Sequence, residues 1–213
     1  MKTDELITLL ATGEGAVQPH ALARRLALAL LTGVLAALLL LVAIYGVRAD
    51  LAEVARTPLF WAKVALPASL ALLGLGLTQR LARPGVRGGA LWQWLGLPLL
   101  LVWLGAGLSL IGAPVEARAE LIFGRTWRTC ALNIAVLSLP TLVAVFWALR
   151  GLAPTRLRQA GAAGGLLAGA SATVVYCLHC PEMAVPFWGV WYLLGMLLPT
   201  ALGAIVGPRV LRW

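Results

Sequence analysis

Six long apolar segments divide this chain, and they restrict its possible folds more than any other feature. We place them at 26–47, 60–78, 92–112, 130–149, 160–176 and 187–207. Each is close to the ~20 residues that a helix needs to cross a bilayer. Hydrophobic residues make up 61% and charged residues 12% of the chain, whereas soluble domains average roughly 45–50% and roughly 25%. The sequence therefore predicts an all-α integral membrane protein with six transmembrane helices.

The fifth segment is rich in glycine and alanine. Gly161, Gly165 and Gly169 recur every four residues, so they share one stripe of the predicted helix. A stripe of small residues allows a neighbouring helix to approach closely within a membrane. We therefore expect close helix packing along this stripe.

The positive residues between the segments predict the orientation of the chain. Eleven of the 17 Lys and Arg residues lie on the side of both termini, namely Lys2, Arg24, Arg25, Arg80, Arg83, Arg87, Arg150, Arg156, Arg158, Arg209 and Arg212. Positive residues accumulate on the cytoplasmic side of membrane proteins, so both termini are predicted to be cytoplasmic. The net charge of +9 is then a topology signal, and we expect no direct binding of nucleic acid.

Residues 1–20 are more polar than the remainder and form the first predicted domain, a cytoplasmic tail. Residues 21–213 form the second, a six-helix transmembrane sensor domain. The tail predicts a short helix with an apolar stripe that includes Leu6, Ile7 and Leu10. Because so short a helix is marginal in water, the stripe needs a partner surface. That surface is either a partner protein or the bilayer and bundle, and the acidic character of the helix argues against lipid.

Residues 176–182 read Tyr-Cys-Leu-His-Cys-Pro-Glu and lie at the predicted outer end of the fifth segment. Pro181 disfavours helical backbone at the preceding residue, so the helix should end near His179. Cys130 opens the fourth segment at the same depth. Thiols, an imidazole and a carboxylate suit redox chemistry or the transient binding of a soft or borderline metal ion. The alternative is a set of buried cysteines and a loop histidine without chemistry. The candidate metal ligands are Cys130, Cys177, His179, Cys180 and Glu182.

The predicted helix termini distinguish the thiols. Cys130 lies at a helix N-terminus and follows Arg125 and Arg128, and both features favour a thiolate. Cys177 and Cys180 lie at a helix C-terminus, where the helix dipole opposes a thiolate. We therefore expect Cys130 to be the most nucleophilic thiol, with Cys180 or Cys177 as its partner.

Two other polar residues lie near this depth. Lys63, near the outer end of the second segment, is expected to extend to the lipid headgroups, with pairing to Glu182 or Glu120 as the alternative. Asn133 lies one turn beyond Cys130 on the same helix face. We expect it to make a polar contact between helices.

Several of these features together resemble a known family. The N-terminal sequence MKTDELI, the six spans, the cysteine that opens the fourth span and the motif Tyr176-x-x-His179-Cys180-Pro181-Glu182 are similar to the NrsF-like bacterial membrane anti-sigma factors. The similarity covers essentially the whole chain. It implies a multi-pass protein of the bacterial inner membrane that holds an extracytoplasmic-function sigma factor. The resemblance further implies release of that factor under heavy-metal or oxidative stress through two periplasmic cysteines. These correspond to Cys130 and Cys180, and Cys177 looks like an additional thiol.

A membrane thiol oxidoreductase, passing electrons between periplasmic thiols and quinone, is the main alternative. Such an enzyme normally carries Cys-x-x-Cys at a helix N-terminus, whereas here the pair is at a C-terminus. A small transporter or metal exporter would need ionisable groups in mid-membrane, which the segments almost lack. We therefore expect a regulator rather than an enzyme, without a certain cofactor, and with a sigma factor and the lipid bilayer as its partners.

Overall fold

The computed structural model describes residues 3–12 and 20–212, and within these ranges the chain is helical, without strands. We number the helices in chain order: α1 (Thr3–Ala11), α2 (Ala21–Tyr45), α3 (Leu51–Val54), α4 (Pro58–Leu81), α5 (Leu91–Gly112), α6 (Val115–Phe123), α7 (Trp127–Arg150), α8 (Leu157–Tyr176) and α9 (Val185–Val210). Each of the six apolar segments is therefore a helix, with ends a few residues from the predicted ones. The sequence reasoning missed α3 and α6, which lie in the predicted loops.

Five of the six long helices are long and apolar enough to cross a membrane. They are α2, α4, α5, α9 and the continuous stretch of α6 and α7. Helix α8 falls outside this set because it combines glycine and alanine with several polar residues. The prediction of an all-α protein is confirmed for the described residues. They contain five candidate membrane spans and a sixth long helix that is less apolar.

Helix α8 lies inside the bundle, where it packs against α4, α7 and α9. Every residue of α8 is described, and none of them is a large exposed hydrophobic residue. The outer faces of α2, α5, α7 and α9, by contrast, expose many leucine, isoleucine and valine side chains. Large apolar surfaces of this kind are rare on soluble monomers and suit contact with lipid.

The glycine stripe of α8 forms the contact with α9. A Cβ atom on Gly161 would collide with the carbonyl oxygen of Gly203, and one on Gly165 would collide with that of Pro199. A Cβ on Gly169 would lie 2.6 Å from the Pro199 ring. The predicted close approach is therefore confirmed, since these backbones touch where any side chain would separate them.

Helix α1 is the short helix predicted for the tail, and it begins at Thr3. Its apolar side chains lie in the open, because Leu6 is 39% and Ile7 59% exposed. The backbone of Leu10 belongs to α1, but its side chain falls outside the described part of the structure. The connecting residues 13–19 also lie outside the described ranges.

Candidate thiol site between helices α7, α8 and α9

The candidate site is centred on the loop between α8 and α9. After α8 ends at Tyr176, the chain makes one more turn, in which the amide of Cys180 donates to the Tyr176 carbonyl at 3.0 Å. The helix thus ends within three residues of the predicted position, and Pro181 follows the turn. We call residues 177–184 the thiol loop.

The three cysteines lie together in the main hydrophobic core, fully buried and as free thiols. The Cys130 and Cys180 thiols lie beside each other. Cys177 and Cys180 lie near the Tyr192 hydroxyl, which is buried and has no hydrogen-bond partner among the described residues. The predicted meeting of Cys130 with the thiols of the fifth segment is therefore confirmed.

Asn133 extends this polar cluster between helices. Its amide Nδ2 lies 3.5 Å from the hydroxyl of Tyr176, which also contacts the Cys130 thiol. The expected interhelical contact of Asn133 is confirmed, and it joins α7 to the end of α8.

Lys63 of α4 is completely buried beside the thiol loop. Its Nζ donates to the carbonyl of Cys180 at 2.7 Å and to that of Glu182 at 2.8 Å. It also lies 5.6 Å from the centroid of the Tyr192 ring. The expectation that Lys63 reaches the headgroups is wrong, because the loop folds over α4 and supplies carbonyl acceptors within the bundle. No sequence signal identified this contact, since the acceptors are backbone atoms.

The turn after α2 holds the thiol loop from a second side. The Nη1 of Arg48 donates to the Cys180 carbonyl at 3.1 Å, and the Arg48 amide donates to the Leu178 carbonyl at 3.0 Å. The guanidinium also forms an ion pair with Asp50 at 2.7 Å, so its orientation is fixed. The carbonyl of Cys180 thus accepts from two basic side chains on two different elements.

His179 is held by the same turn. Its Nδ1 lies 3.0 Å from the carbonyl oxygen of Gly46. The imidazole is placed between the rings of Tyr45 and Tyr176, each 5.6 Å away between centroids. Tyr45 ends a wider, π-helical turn of α2, a feature common at functional sites.

The Glu182 side chain holds the start of α7. Its Oε1 accepts from the amide of Arg125 at 2.7 Å and from that of Thr126 at 3.1 Å. Gly124 has a φ of +55°, and a Cβ there would lie 2.6 Å from Glu182 Oε2. Glycine suits this position for two reasons. It adopts the positive φ without strain, and it leaves the space that the carboxylate occupies. The carboxylate sits at the positive end of the α7 dipole.

This arrangement contradicts the expected ranking of the thiols. The acidic side chain of Glu182 offsets the α7 dipole that was expected to favour a Cys130 thiolate. The pKa of Cys180 is instead lowered, first because the Cys130 thiol donates a hydrogen bond to it and further because Lys63 is close by. Burial of Cys180 opposes this shift without reversing it. The structure thus favours Cys180 as the thiolate and Cys130 as the hydrogen-bond donor.

The predicted five-ligand metal set of Cys130, Cys177, His179, Cys180 and Glu182 is not assembled here. Within residues 3–12 and 20–212, no group of three or more His, Cys, Asp and Glu side chains is placed to hold a metal ion. The physical reason is that His179 faces the Gly46 carbonyl and the Glu182 carboxylate faces α7. Only the Cys130 and Cys180 thiols lie side by side.

The described residues form a helical bundle with five helices long and apolar enough to cross a membrane, with thiols buried at one end and a short exposed helix at its start. The chain belongs to the NrsF family, described as negative regulator of sigma F, whose model matches residues 10–213. It is 50% identical over 213 residues to a probable anti-sigma-F factor NrsF of Azospira oryzae. It is 40% identical over 215 residues to the anti-sigma-F factor NrsF of Caulobacter vibrioides. Both alignments cover 100% of each chain.

No solved structure matches the chain. The family comparisons confirm the resemblance seen in the sequence. They also make the chain a member of a family of regulators rather than enzymes, so the oxidoreductase alternative gains no support.

Proposed function

We propose that this chain is a membrane-bound anti-sigma factor that sequesters an extracytoplasmic-function sigma factor. The observation that carries the proposal is the similarity to two anti-sigma-F factors over the full length of each chain. In our proposal the sigma factor binds the cytoplasmic tail, and oxidation of the thiols on the periplasmic side releases it.

Six spans with both termini in the cytoplasm give the simplest topology for this function. Helix α8 is the sixth span, with its polar and small residues facing other helices rather than lipid. Helix α2 connects the two functional regions, because α1 precedes its start and Gly46 at its end contacts His179 of the thiol loop. At 1.5 Å per residue, its 25 residues extend about 37 Å, enough to cross a bilayer.

Helix α1 is the proposed sigma-factor contact. Leu6 and Ile7 are exposed on one face of α1, and Leu10 falls on the same face by helical spacing. An amphipathic helix with an unburied apolar face can dock into a groove of a partner protein. The tail then contributes the binding surface, while the bundle keeps it at the membrane.

Oxidation of Cys180 and Cys130 is the proposed signal. The Cys180 thiolate attacks a peroxide to give a sulfenic acid, and Cys130 displaces water from it to form a disulfide. Overall, the two thiols lose two protons and two electrons, and one hydrogen peroxide becomes two waters. Cys177 is not required, because its thiol faces Tyr192 and Lys63 rather than Cys130.

A soft metal ion is the second proposed signal. The Cys130 and Cys180 thiols lie together, whereas His179 and Glu182 face elsewhere, so a metal would be held by these two sulfur ligands, which suit soft cations. Binding would displace the thiol protons. The geometry favours the oxidant, because a disulfide needs only the Cys130 and Cys180 contact that the structure contains.

Either signal would reach the tail through the hydrogen bonds that Lys63 and Arg48 donate to the thiol loop. The Cys180 carbonyl is bonded to Lys63 on α4 and to Arg48 at the end of α2. A shift of Cys180 on oxidation therefore displaces both contacts. We propose that α2 responds as a unit and changes the presentation of α1.

Two experiments test this function. A sigma-factor pull-down from the native host with the full-length chain, compared with a chain lacking residues 1–12, should recover the factor only when the tail is present. Addition of peroxide should abolish the recovery. A periplasm-active reporter fused after Trp213 should be silent and one inserted near Pro186 active, and the opposite pattern would overturn the sensor geometry.

A further inference from the structure

The end of the bundle near the tail contains a basic pocket that the proposed switch does not use. The pocket encloses about 590 Å³, and its lining residues are Ala21, Arg24, Arg25, Leu28 and Trp147. It lies between the start of α2 and the end of α7. In the proposed topology this is the cytoplasmic edge of the membrane.

Arg25 is built into this pocket by the fold. Its guanidinium carbon lies 5.0 Å from the centroid of the Trp147 ring. Gly151 lies directly beneath the guanidinium, where a Cβ atom would collide with it. The side chain is thereby held between an aromatic ring and a glycine backbone, a common arrangement for arginine in recognition sites.

The Nε atom of Arg25 is buried and has no hydrogen-bond partner among residues 3–12 and 20–212. Among the residues that the structure describes, the one ion pair is between Arg48 and Asp50, at the opposite end of α2. A buried donor without an acceptor is costly and calls for an explanation. The pocket therefore contains a fixed cation and an unused donor.

An apolar groove lies on the other side of Trp147, between α7 and α9. It encloses about 350 Å³, and its lining includes Val143, Phe146, Trp147, Arg150, Leu202 and Val206. The groove runs from the bundle end towards the middle of both helices. A basic pocket and an apolar groove thus share one tryptophan at the expected depth of the membrane interface.

From this geometry we propose that Arg25 binds the phosphate of an anionic phospholipid, with Arg24 beside it and an acyl chain in the groove. Guanidinium groups bind phosphate oxygens in paired hydrogen bonds, and the two terminal nitrogens of Arg25 supply such a pair. Basic pockets between helices on the cytoplasmic side suit anionic headgroups. The proposal uses the proposed topology but is independent of sigma-factor binding and of the thiols.

The test is native mass spectrometry of the full-length protein, released from phosphatidylcholine membranes that contain phosphatidylglycerol. Wild type should retain phosphatidylglycerol, and Arg25→Gln should bind it about tenfold more weakly, since a hydrogen bond to a charged group is lost. Arg83→Gln is the matched control, because Arg83 is an exposed arginine of the loop after α4 and the charge change is identical. Circular dichroism and size-exclusion profiles confirm that each variant is folded.

Equal retention by wild type and a folded Arg25→Gln protein would overturn the proposal. Equal losses in Arg25→Gln and Arg83→Gln would also overturn it, because general surface charge would then explain the binding. Inorganic phosphate provides the last comparison. If phosphate stabilises the protein through Arg25 while phosphatidylglycerol is not retained, the pocket binds a free anion and the lipid assignment is wrong.

Discussion

The two ends of α2 differ in how completely their polar groups are satisfied. At the end near Gly46, the carbonyls of the thiol loop accept from Lys63, Arg48 and Trp188. At the other end, the buried Nε of Arg25 has no hydrogen-bond partner among the described residues, and Leu6 and Ile7 of α1 are exposed. One end is bonded within the chain, and the other is where we propose that partners from outside the chain bind.

This difference suits a protein that senses at one end and binds at the other. A densely packed site has few alternative arrangements, so a covalent change there must displace its neighbours. An exposed helix with few tertiary contacts has a low local stability and adapts to a partner.

Replacing either cysteine of the pair should abolish the response completely. Cys130→Ser and Cys180→Ser proteins should retain the sigma factor under peroxide, because no disulfide can form, whereas Cys177→Ser should release it as wild type does. The readout is sigma-factor recovery in a pull-down before and after peroxide, with alkylation and mass spectrometry to identify the oxidised thiols. Release by a folded Cys130→Ser protein would show that the thiol pair is not the switch.

Charging the exposed face of α1 should have the next largest effect. Burial of one leucine or isoleucine is worth about 1.5–3 kcal/mol, so Leu6→Asp with Ile7→Asp should weaken sigma-factor binding at least roughly a hundredfold. The matched control is Thr8→Asp, since Thr8 is exposed on the opposite face of the helix. The measurement is the sigma-factor affinity of each variant, determined by titration of the purified proteins. Equal affinity for the double variant and the control would show that the apolar face of α1 contacts the membrane or the bundle rather than the sigma factor.

Replacing Lys63 should slow formation of the disulfide by about tenfold, because it removes the positive charge that helps to lower the pKa of Cys180, and a tenfold change corresponds to about 1.4 kcal/mol. In Lys63→Met, the Cys180 carbonyl keeps Arg48 and the Glu182 carbonyl keeps Trp188, so the fold should survive. The measurement is the rate of the Cys130 to Cys180 disulfide under peroxide, with Arg56→Met as an exposed-cation control. A wild-type rate in folded Lys63→Met would remove Lys63 from the switch.

Local sequence patterns predicted most of the bundle. Apolar segment lengths placed all six long helices, and the spacing of Gly161, Gly165 and Gly169 predicted the contact with α9. These predictions succeed because helical periodicity and hydrophobicity act within one segment. The short α6 was missed because its residues lack a continuous apolar run.

The sequence predicted that the three cysteines lie together, but it did not predict the bonding around them. The sequence indicated that Cys130 would meet the thiol loop, yet it assigned the wrong environment to Lys63 and to Glu182. Both side chains bind backbone groups from distant parts of the chain, at Cys180 and Arg125. Backbone groups are identical at every residue, so no residue pattern identifies them.

The smallest expected effect concerns the charge at the start of α7. In Glu182→Gln, the amide oxygen can still accept from the Arg125 and Thr126 amides, so the variant removes the charge and keeps the shape. A negative group at a helix N-terminus is worth about 0.3–1 kcal/mol. Its removal should therefore raise the alkylation rate of Cys130 about threefold, measured with the other two cysteines replaced by serine.

Glu120→Gln on α6 is the control for that measurement, because Glu120 is a neighbouring exposed carboxylate outside the contacts of the α7 start. A rise in Glu182→Gln alone would show that the carboxylate suppresses Cys130 by opposing the helix dipole. An unchanged rate would mean that the α7 dipole does not reach the thiol, and the preference for Cys180 would then rest on Lys63 and the Cys130 hydrogen bond. The comparison thus separates the two electrostatic causes that make one thiol of a buried pair the nucleophile.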